Sequence, residues 1–321
     1  MGTQIMDAGE AAAGTPALSV IVPAYGVTTM LADALNSLRA QTRDDWEAIV
    51  IDDGDARVAE YFEPFSGDPR IRLLRTENGG LPVARNRAIA EARAPLISLL
   101  DADDTYMPHY VARMIAAIEA SAKRGVVSCD ATYFGHDRVG ERFSTYVPQR
   151  PPVNLGRLIR REFNVFICAT LRRDAVLEVG GFDPTLKSAE DLDLWLRLAE
   201  AGWEVGYVPE ALARYRRRPG QMSSNVPVML QSALTVYTRA AERLGNRPEA
   251  SDARAMCRQT ERAIAAEEGL DRIREGATGE GVSMLRSAAV HERSARWRIA
   301  MVLIRALPFL AGPLIRFRDR V

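Results

Sequence analysis

Leu96-Ile97-Ser98-Leu99-Leu100-Asp101-Ala102-Asp103-Asp104 is the stretch that decides the fold of this chain. Its apolar part has the length of a buried β-strand, and it ends in three carboxylates. Ligands bind beyond the carboxyl ends of strands in open α/β sheets, and Mg²⁺ takes oxygen ligands that it shares with substrate phosphates. The stretch therefore indicates a metal–phosphate site. The alternative from these residues alone is that Asp103 or Asp104 caps the next helix, a common role of Asp.

Strands and helices alternate around this stretch. Apolar runs and helical spacing alternate five times over about 110 residues, which favours parallel strands joined by crossover helices. The predicted strands are 18–22, 46–51, 71–74, 96–100 and 126–129, and the helices between them include 28–41, 82–93 and 108–123. The second strand also ends in acids, Asp52 and Asp53. Because the carboxyl ends of parallel strands share one edge of a sheet, the sequence predicts an α/β fold with a functional cleft at that edge.

Composition excludes several classes of protein. The 321 residues carry 42 basic and 42 acidic side chains, so no net charge attracts nucleic acid, and we expect no nucleic-acid partner. Cys129, Cys168 and Cys257 lie far apart and make neither a disulfide framework nor a zinc pattern. Free cysteines and an N-terminus without a signal-peptide pattern predict a cytoplasmic protein.

The chain divides by composition into three parts. Residues 1–16 are rich in Ala and Gly and predict a disordered lead-in. Residues 17–225 contain the alternating strands and helices. Helical spacing dominates residues 226–321, so we place a domain boundary near 225 and expect a helical C-terminal region.

An ordered series of motifs carries a resemblance to a known family. Residues 18–225 resemble the family 2 glycosyltransferases, and each motif is weak alone but the order is specific. The motifs are Ser19-Val20-Ile21-Val22-Pro23-Ala24-Tyr25, Ile51-Asp52-Asp53-Gly54, Ala84-Arg85-Asn86, Asp101-Ala102-Asp103-Asp104, Gly180-Gly181-Phe182-Asp183 and Glu190-Asp191-Leu192-Asp193. The resemblance implies the GT-A fold, a Rossmann-like, mostly parallel sheet flanked by helices, here with a C-terminal helical appendage. It also implies an inverting glycosyltransferase of hexosyl type that uses a nucleotide-diphospho-sugar donor.

The resemblance assigns a donor side to the cleft. It implies that Asp53 contacts the donor base, and that the backbone of Pro23, Ala24 and Tyr25 lines the base pocket. The alternative role of Asp53 is to form the Asp-Gly turn with Gly54. Arg85 lies near a helix start, where a guanidinium can pair with donor phosphate, and its alternative is an exposed helical position.

The resemblance also assigns a divalent cation, Mg²⁺ or Mn²⁺, to the acidic turn. Asp101 and Asp103 match the family's metal-binding pair, with one acid contacting the ribose and the other the metal, and Asp104 supports the metal or caps the next helix. Many relatives have a His near the position of Arg218. Because Arg cannot ligate a cation, we expect Arg218 to clamp the donor diphosphate, with a solvated basic loop as the alternative.

The acceptor side follows from the acids at the start of a predicted helix over 190–201. The resemblance implies that Asp191 is the general base that deprotonates the acceptor hydroxyl, with Glu190 as the second candidate. A single base opposite the leaving group implies inversion at the anomeric carbon. The alternative for both acids is that they complement the helix dipole.

Residues 299–315 are apolar except for Arg305, and arginines flank them on both sides over 293–320. A membrane span is not expected, because two prolines interrupt the segment and Arg305 lies near its middle. An apolar helix with basic flanks fits the surface of an anionic membrane. Packing on the catalytic domain or on a second copy is the equal alternative. The first interpretation predicts a cytoplasmic enzyme, peripheral at the inner face of the plasma membrane, that acts on a carbohydrate or lipid-linked acceptor.

Two other functions remain open at this stage. A non-catalytic protein that binds nucleotide-sugars or acts as a scaffold on the same fold is the main alternative, supported by the Arg218 departure. A sugar-phosphate nucleotidyltransferase is less favoured, because Pro23-Ala24-Tyr25-Gly26 carries a single glycine where such enzymes have a Gly-rich phosphate loop. The leading prediction is a transferase of cell-surface polysaccharide or glycolipid synthesis.

Overall fold

The structure is a computed structural model, and it describes residues 4–6, 14–26, 28–221, 224–288, 302–304, 306 and 307. The chain forms two compact units, Met1–Ser224 and Asn225–Val321. The first unit is an α/β structure, and the elements described in the second unit are helices joined by short turns.

The described part of the first unit is built around a single sheet of nine strands. Its strands are β1 (Gln4–Met6), β2 (Leu18–Ala24), β3 (Trp46–Asp52), β4 (Ile71–Arg75), β5 (Leu96–Leu99), β6 (Thr105–Tyr106), β7 (Arg124–Gly135), β8 (Thr170–Arg172) and β9 (Glu204–Arg217). Its helices are α1 (Leu31–Arg39), α2 (Val58–Phe62), α3 (Leu81–Glu91), α4 (Tyr110–Glu119), α5 (Phe143–Tyr146), α6 (Leu155–Ile159), α7 (Arg173–Glu178) and α8 (Glu190–Glu200).

The strand order across the sheet is β1-β4-β3-β2-β5-β8-β7-β9-β6. Neighbours from β4 to β5 are parallel, as the alternating pattern predicts. The short strand β8 is antiparallel to both β5 and β7, and β9 is parallel to β7. The carboxyl ends of β2, β3, β5, β7 and β9 therefore meet at one edge of the sheet, which brings their following loops together.

The central strands are buried on both faces, which explains their nearly continuous apolar sequences. Every residue of β2 and β3 is buried. On one face, α1 and α4 pack apolar residues at helical spacing against the sheet, including Leu31, Leu35 and Leu38 from α1. Because this core is close-packed, the strands hold the start of each loop at the carboxyl edge in a fixed position.

Two parts of the first unit differ from the sequence expectation. Within the predicted lead-in 1–16, Gln4–Met6 form a strand that pairs antiparallel with β4. An edge strand offers unpaired backbone groups to any segment in reach, so composition does not reveal this pairing. The predicted strand 126–129 is longer, Arg124–Gly135, because its second half pairs with the end of β9.

The second unit contains α9 (Val226–Leu244), α10 (Glu249–Arg274) and α11 (Thr278–Ala288). Leu270 and Ile273 of α10 pack against Val282 and Leu285 of α11. Most of the apolar segment 299–315 and its basic flanks lies outside the described residues, so the membrane-surface prediction is not addressed by the fold. Among the helices that the structure describes, none combines the length and apolarity that crossing a bilayer requires.

Candidate active site

The turn after β3 is held by its two aspartates in different ways. Asp52 accepts hydrogen bonds from the backbone N–H groups of Gly54 (3.1 Å) and Asp55 (2.8 Å), so Asp52 is the residue that forms the predicted Asp-Gly turn. Gly54 has φ of +88°, and a Cβ there would lie 2.9 Å from the backbone nitrogen of Asn78. Only glycine fits this position without strain.

Asp53 connects that turn to the next loop. Its two carboxylate oxygens accept hydrogen bonds from the N–H groups of Gly79 and Gly80, each at 2.9 Å. The predicted contact of Asp53 with a donor base stays a prediction. It is compatible with this geometry, because each carboxylate oxygen keeps a second lone pair that can accept a ligand N–H. Pro23 and Ala24 are buried in β2, whereas Tyr25 is 59% exposed at the mouth of this edge.

The acidic turn after β5 presents its three carboxylates unequally. The side chain of Asp101 is 30% exposed and that of Asp103 is 19% exposed, whereas Asp104 is fully buried. Burial and repulsion by Asp101 raise the pKa of Asp103, although Arg218 opposes this shift. Burial, with repulsion by Asp103 and Asp101, raises the pKa of Asp104 well above its ordinary value. Two of the acids can therefore meet a ligand.

The predicted capping role of Asp104 is wrong on geometric grounds. Its Oδ1 accepts the backbone N–H of Arg216 at 2.8 Å, so it ties the turn to the end of β9. α4 begins after His109 with no side-chain cap, so Asp104 does not cap it. Asp104 is fully buried and holds the acidic turn to the end of β9, and its support of a metal stays a prediction.

Arginines at the end of β9 cover the same turn. Arg216 donates from Nε to the backbone oxygen of Asp103 at 2.7 Å, and Arg218 donates from Nε to the Asp103 carboxylate at 3.0 Å. The Arg218 backbone N–H in turn donates to Gln221 at 2.9 Å. The structure thus brings Arg218 to the predicted metal site, where it pairs with Asp103.

Arg85 lies beneath this site as a buried cation. It is 1% exposed, and it donates from Nη2 to Asp101 and from Nη1 to Glu190, both at 2.7 Å. Burial alone would lower the pKa of Arg85, but the charges of Asp101 and Glu190 outweigh this effect and raise it. The alternative of an exposed helical arginine is wrong. Both terminal nitrogens donate to carboxylates, and the contact with donor phosphate stays a prediction.

The two acids at the start of α8 have different surroundings. Glu190 is buried against Arg85, and burial raises its pKa while the Arg85 charge opposes the shift. Asp191 is half-buried, and its Oδ1 accepts the N–H of Leu192 at 2.7 Å. Ala189, just before the helix, has φ of +56°, in the left-handed region. Asp191 is therefore the more accessible of the two predicted bases.

Sequence reasoning missed two side chains that hold the Gly180–Asp183 turn beside α8. The Asn86 side chain donates from Nδ2 to the backbone oxygen of Phe182 at 2.7 Å, and its Oδ1 accepts the Phe182 N–H at 2.8 Å. Arg197 pairs with Asp193 one helical turn away and donates to the carbonyls of Val179 and Gly181. The i, i+4 spacing of Asp193 and Arg197 is a signal that could have revealed the second clamp.

The donor set fits a cation that a substrate shares, and not one held by protein alone. Within the described residues, no group of three or more His, Cys, Asp or Glu side chains is arranged to hold a metal ion. Asp101 and Asp103 supply two accessible carboxylates, which is the number that Mg²⁺ takes when substrate phosphates complete its shell. Arg218 must then share Asp103 with the cation.

A separate cleft of about 1000 Å³ lies elsewhere in the first unit, between the loop 142–153 and the first half of β9. None of the predicted site residues lines it. The site at the carboxyl edge is therefore identified by its charged side chains and not by the volume of a cavity.

Curated relatives match the region that contains this cleft. Putative glycosyltransferase EpsH of Bacillus subtilis (strain 168) is 37% identical over 214 residues, 63% of this chain and 61% of the relative. Uncharacterized glycosyltransferase EpsJ of the same organism is 29% identical over 225 residues, 65% of this chain and 63% of the relative. The putative teichuronic acid biosynthesis glycosyltransferase TuaG, also from Bacillus subtilis (strain 168), is 26% identical over 238 residues, 71% of this chain and 90% of the relative. The chain thus spans less than two thirds of EpsH and EpsJ.

Solved structures share the fold. S. aureus TarS 1-349 in complex with UDP-GlcNAc superposes with a TM-score of 0.63 at 19% identity, covering 92% of this chain and 86% of the other. The mannosyltransferase PcManGT from Pyrobaculum calidifontis, in complex with GDP-Man and Mn²⁺, gives 0.56 at 18% identity, covering 96% and 89%. The GT-A fold expected from the sequence is confirmed. The profile of the family described as Glycosyl transferase family 2 matches residues 19–180, just over half of the 321 residues, and the chain therefore belongs to that family.

Proposed function

We propose that this protein transfers a sugar from a nucleotide-diphospho-sugar to an acceptor hydroxyl, with inversion at the anomeric carbon, in the synthesis of a cell-surface polysaccharide or glycolipid. The observation that carries the proposal is the meeting of two accessible acids, Asp101 and Asp103, with the acids of α8 at one edge of the sheet. The reaction resides in residues 17–225. TuaG, named for teichuronic acid biosynthesis, supports the polysaccharide class.

The donor lies along the carboxyl edge in this proposal. The nucleoside occupies the surface formed by Asp53, Tyr25 and the backbone at the end of β2, and its diphosphate faces Asp101, Asp103 and Arg218. UDP-GlcNAc and GDP-Man in the structures of TarS and PcManGT support a nucleotide-sugar donor without fixing the base. The guanidinium of Arg218 is a planar donor suited to phosphate oxygens.

Asp101 and Asp103 hold a divalent cation, Mg²⁺ or Mn²⁺, together with the donor phosphates. When bound, the cation neutralises charge on the nucleoside diphosphate. The Mn²⁺ complex of PcManGT supports this assignment. Arg218 adds a positive charge that does not depend on the cation, so nucleotide binding retains an Arg-dependent part without metal.

Asp191 acts as general base. Its carboxylate removes the proton of the acceptor hydroxyl as the acceptor oxygen bonds to the anomeric carbon and the bond from that carbon to the phosphate oxygen breaks. The nucleoside diphosphate leaves with the bonding electrons. Asp191 is favoured over Glu190 because Arg85 occupies Glu190 Oε1 at 2.7 Å, whereas Asp191 is half-buried and open to a ligand. Attack opposite the leaving group gives inversion.

The acceptor is a carbohydrate or a lipid-linked saccharide, and we propose that residues 293–320 hold the enzyme at the inner face of the plasma membrane. The support is the apolar segment between arginine-rich flanks. A cytoplasmic enzyme with this anchor would meet lipid-linked acceptors where nucleotide-sugars are available.

Titration with UDP, GDP and dTDP sugars, with and without Mg²⁺ or Mn²⁺, tests the proposal. One nucleotide should bind, bind more tightly with metal, and lose the metal effect in Asp103→Ala. Binding of no nucleotide by the folded chain would overturn the transferase function. Binding without transfer to any acceptor and without donor hydrolysis would instead favour the non-catalytic alternative, to which the Arg218–Asp103 pair lends support.

A further inference from the structure

We propose that Arg85 is a positioning residue that sets the distance between the donor-side and acceptor-side carboxylates of the cleft. Asp101 follows β5, and Glu190 begins α8, so the two acids belong to separate elements. Arg85, from α3, is the group that contacts both. The inference rests on the proposed transferase reaction, in which Asp101 faces the donor and the neighbour of Glu190 faces the acceptor.

The geometry of Arg85 makes this link rigid. Its two terminal nitrogens belong to one planar guanidinium, and each donates to a different carboxylate at 2.7 Å. The Phe182 ring lies under the group, with its centroid 5.3 Å from Cζ. Because both terminal nitrogens of this planar group are hydrogen-bonded, the distance between Glu190 Oε1 and Asp101 Oδ1 can change little.

Burial gives the link its strength. Arg85 is 1% exposed and Glu190 is 6% exposed, so the charges interact in a medium that screens them less than water does. Removing the cation would leave two carboxylates facing each other with Asp191 close by. They would then separate, protonate or admit water, and each response moves the start of α8 relative to the acidic turn.

The link made by Arg85 should affect the rate of the reaction and not the binding of the nucleotide. With Arg85 present, Glu190 is restrained, and Asp191 follows it in the same helical turn, close enough for its charge to act on Arg85. The nucleotide does not need Glu190 or Asp191 in order to bind. Loss of Arg85 should therefore disturb the alignment of base and donor far more than the affinity for nucleotide, since a shift of about 1 Å can cost roughly 100-fold in rate.

Arg85→Lys and Arg85→Met test the inference, with Arg87→Met as the matched control on the exposed side of the same helix. The measurements are the Kd for the nucleoside diphosphate that wild type binds, and the rate of its release from the corresponding donor sugar with water as acceptor. For Arg85→Lys we expect a Kd within about threefold of wild type and a rate about 100-fold lower. Arg87→Met should change neither.

Glu190→Gln supplies a second readout if Arg85→Met does not fold. In wild type it should lower the release rate, and in the Arg85→Lys background it should add little, because the link is already broken. Losses of affinity and rate by the same factor would overturn the inference, since Arg85 would then contact the donor. An unchanged rate per folded molecule would also overturn it. A wild-type chain that binds no nucleotide would instead overturn the transferase function itself.

Discussion

Glu190 and Asp191 are adjacent in sequence, yet their surroundings separate their roles. Glu190 is buried and paired with Arg85, while Asp191 contacts only the N–H of Leu192 among the hydrogen bonds described for it. A general base must reach the proton that it removes, so accessibility decides between two carboxylates of similar intrinsic acidity.

Asp191→Asn should lower transfer by roughly 10²–10⁴-fold, the usual contribution of a general base. The amide keeps the shape and the hydrogen bond to Leu192 but cannot accept the acceptor proton. Nucleotide affinity should stay near wild type, because Asp191 lies on the acceptor side. Steady-state transfer and calorimetric titration of the nucleotide together measure both quantities. Full activity in this variant would remove Asp191 from the mechanism.

Arg218→Ala should make nucleotide binding more dependent on metal. Without Arg218 the diphosphate loses a cation, while Asp103 loses its partner at 3.0 Å and becomes freer to bind metal. We expect the ratio of Kd without Mg²⁺ to Kd with Mg²⁺ to rise by about tenfold, or about 1.4 kcal/mol. Titrations with Mg²⁺ and with EDTA measure the ratio. Arg214→Ala, an exposed position in the strand β9 that ends just before Arg218, is the control. An unchanged ratio would return Arg218 to the solvated-loop interpretation.

The sequence could identify residue types at the site but not their partners. Asp101, Asp103, Glu190 and Asp191 follow from the ends of strands and the start of a helix, and the structure brings them to one edge. The pairing of Arg85 with two acids, the burial of Asp104 and the Arg218–Asp103 pair depend on distances between elements far apart in sequence. Such distances are set by packing, which local patterns do not encode.

At the scale of elements, Glu47 joins several parts of the sheet through one buried carboxylate. It accepts from Ser19 of β2 (2.6 Å), from Arg72 of β4 (3.3 Å), and from the backbone N–H and Nε of Arg93 (2.7 and 2.8 Å). Burial alone would raise the pKa of Glu47, but these hydrogen bonds and charges outweigh it and lower the pKa below that of free Glu.

Glu47→Gln should therefore destabilise the protein at neutral pH, by about 2 kcal/mol for a buried charged network. A lowered folded-state pKa gives stability that is present above the unfolded pKa of about 4.3 and is lost as the pH falls through the folded value. The difference between wild type and variant should hold from pH 7 down to about pH 5 and shrink as the pH falls below about 4.3. Urea unfolding at several pH values measures it, and a constant difference would contradict the charge-based role.

The Gly180–Asp183 turn offers a test of element positioning. Gly181 has φ of +71°, and a Cβ there would lie 2.6 Å from Asn86 Oδ1. Gly180 has φ of +84° with nothing within 4 Å of its Cβ position. Both Gly→Ala changes carry the cost of a left-handed backbone, about 1 kcal/mol or more. Gly181→Ala should cost more, since it also breaks the Asn86–Phe182 clamp. Thermal unfolding of the pair measures the difference, and equal losses would rule out the clamp.

The sequence predicted the elements that carry an extended apolar pattern and missed the strands that have only three residues. Strands β2 to β5 and helices α1, α3 and α4 follow from apolar patterns. Strand β8 has three residues, too few for a period, and it pairs with β5 and β7, which are distant from it in the sequence. The strand Gln4–Met6 likewise depends on the open edge of β4.

At the scale of the whole molecule, the two units divide the proposed tasks. We propose that the first unit carries the reaction and that the region after it meets the membrane. The full chain should then sediment with vesicles that contain anionic lipid and remain free with neutral vesicles. A chain ending at Ala288 should lose vesicle binding and keep its nucleotide affinity. Retained vesicle binding by the shortened chain would move the contact to another surface, and no binding by the full chain would favour protein packing of residues 293–320.

The antiparallel strand β8 has a consequence for the order in which a newly made chain becomes an enzyme. Strands β2 to β5 are complete once residue 99 is available, and they rely on neighbours that are close in sequence. Among the strands that the structure describes, β7, β9 and β6 join this part of the sheet through Thr170–Arg172, and Glu190, Arg216 and Arg218 follow later in the sequence. During synthesis on the ribosome, strands β2 to β5 can therefore pair early. Arg85 can then contact Asp101, but its second partner, Glu190, is missing until α8 has been synthesised. Under the proposed mechanism, the site therefore stays incomplete until the segment that carries Asp191 has been synthesised.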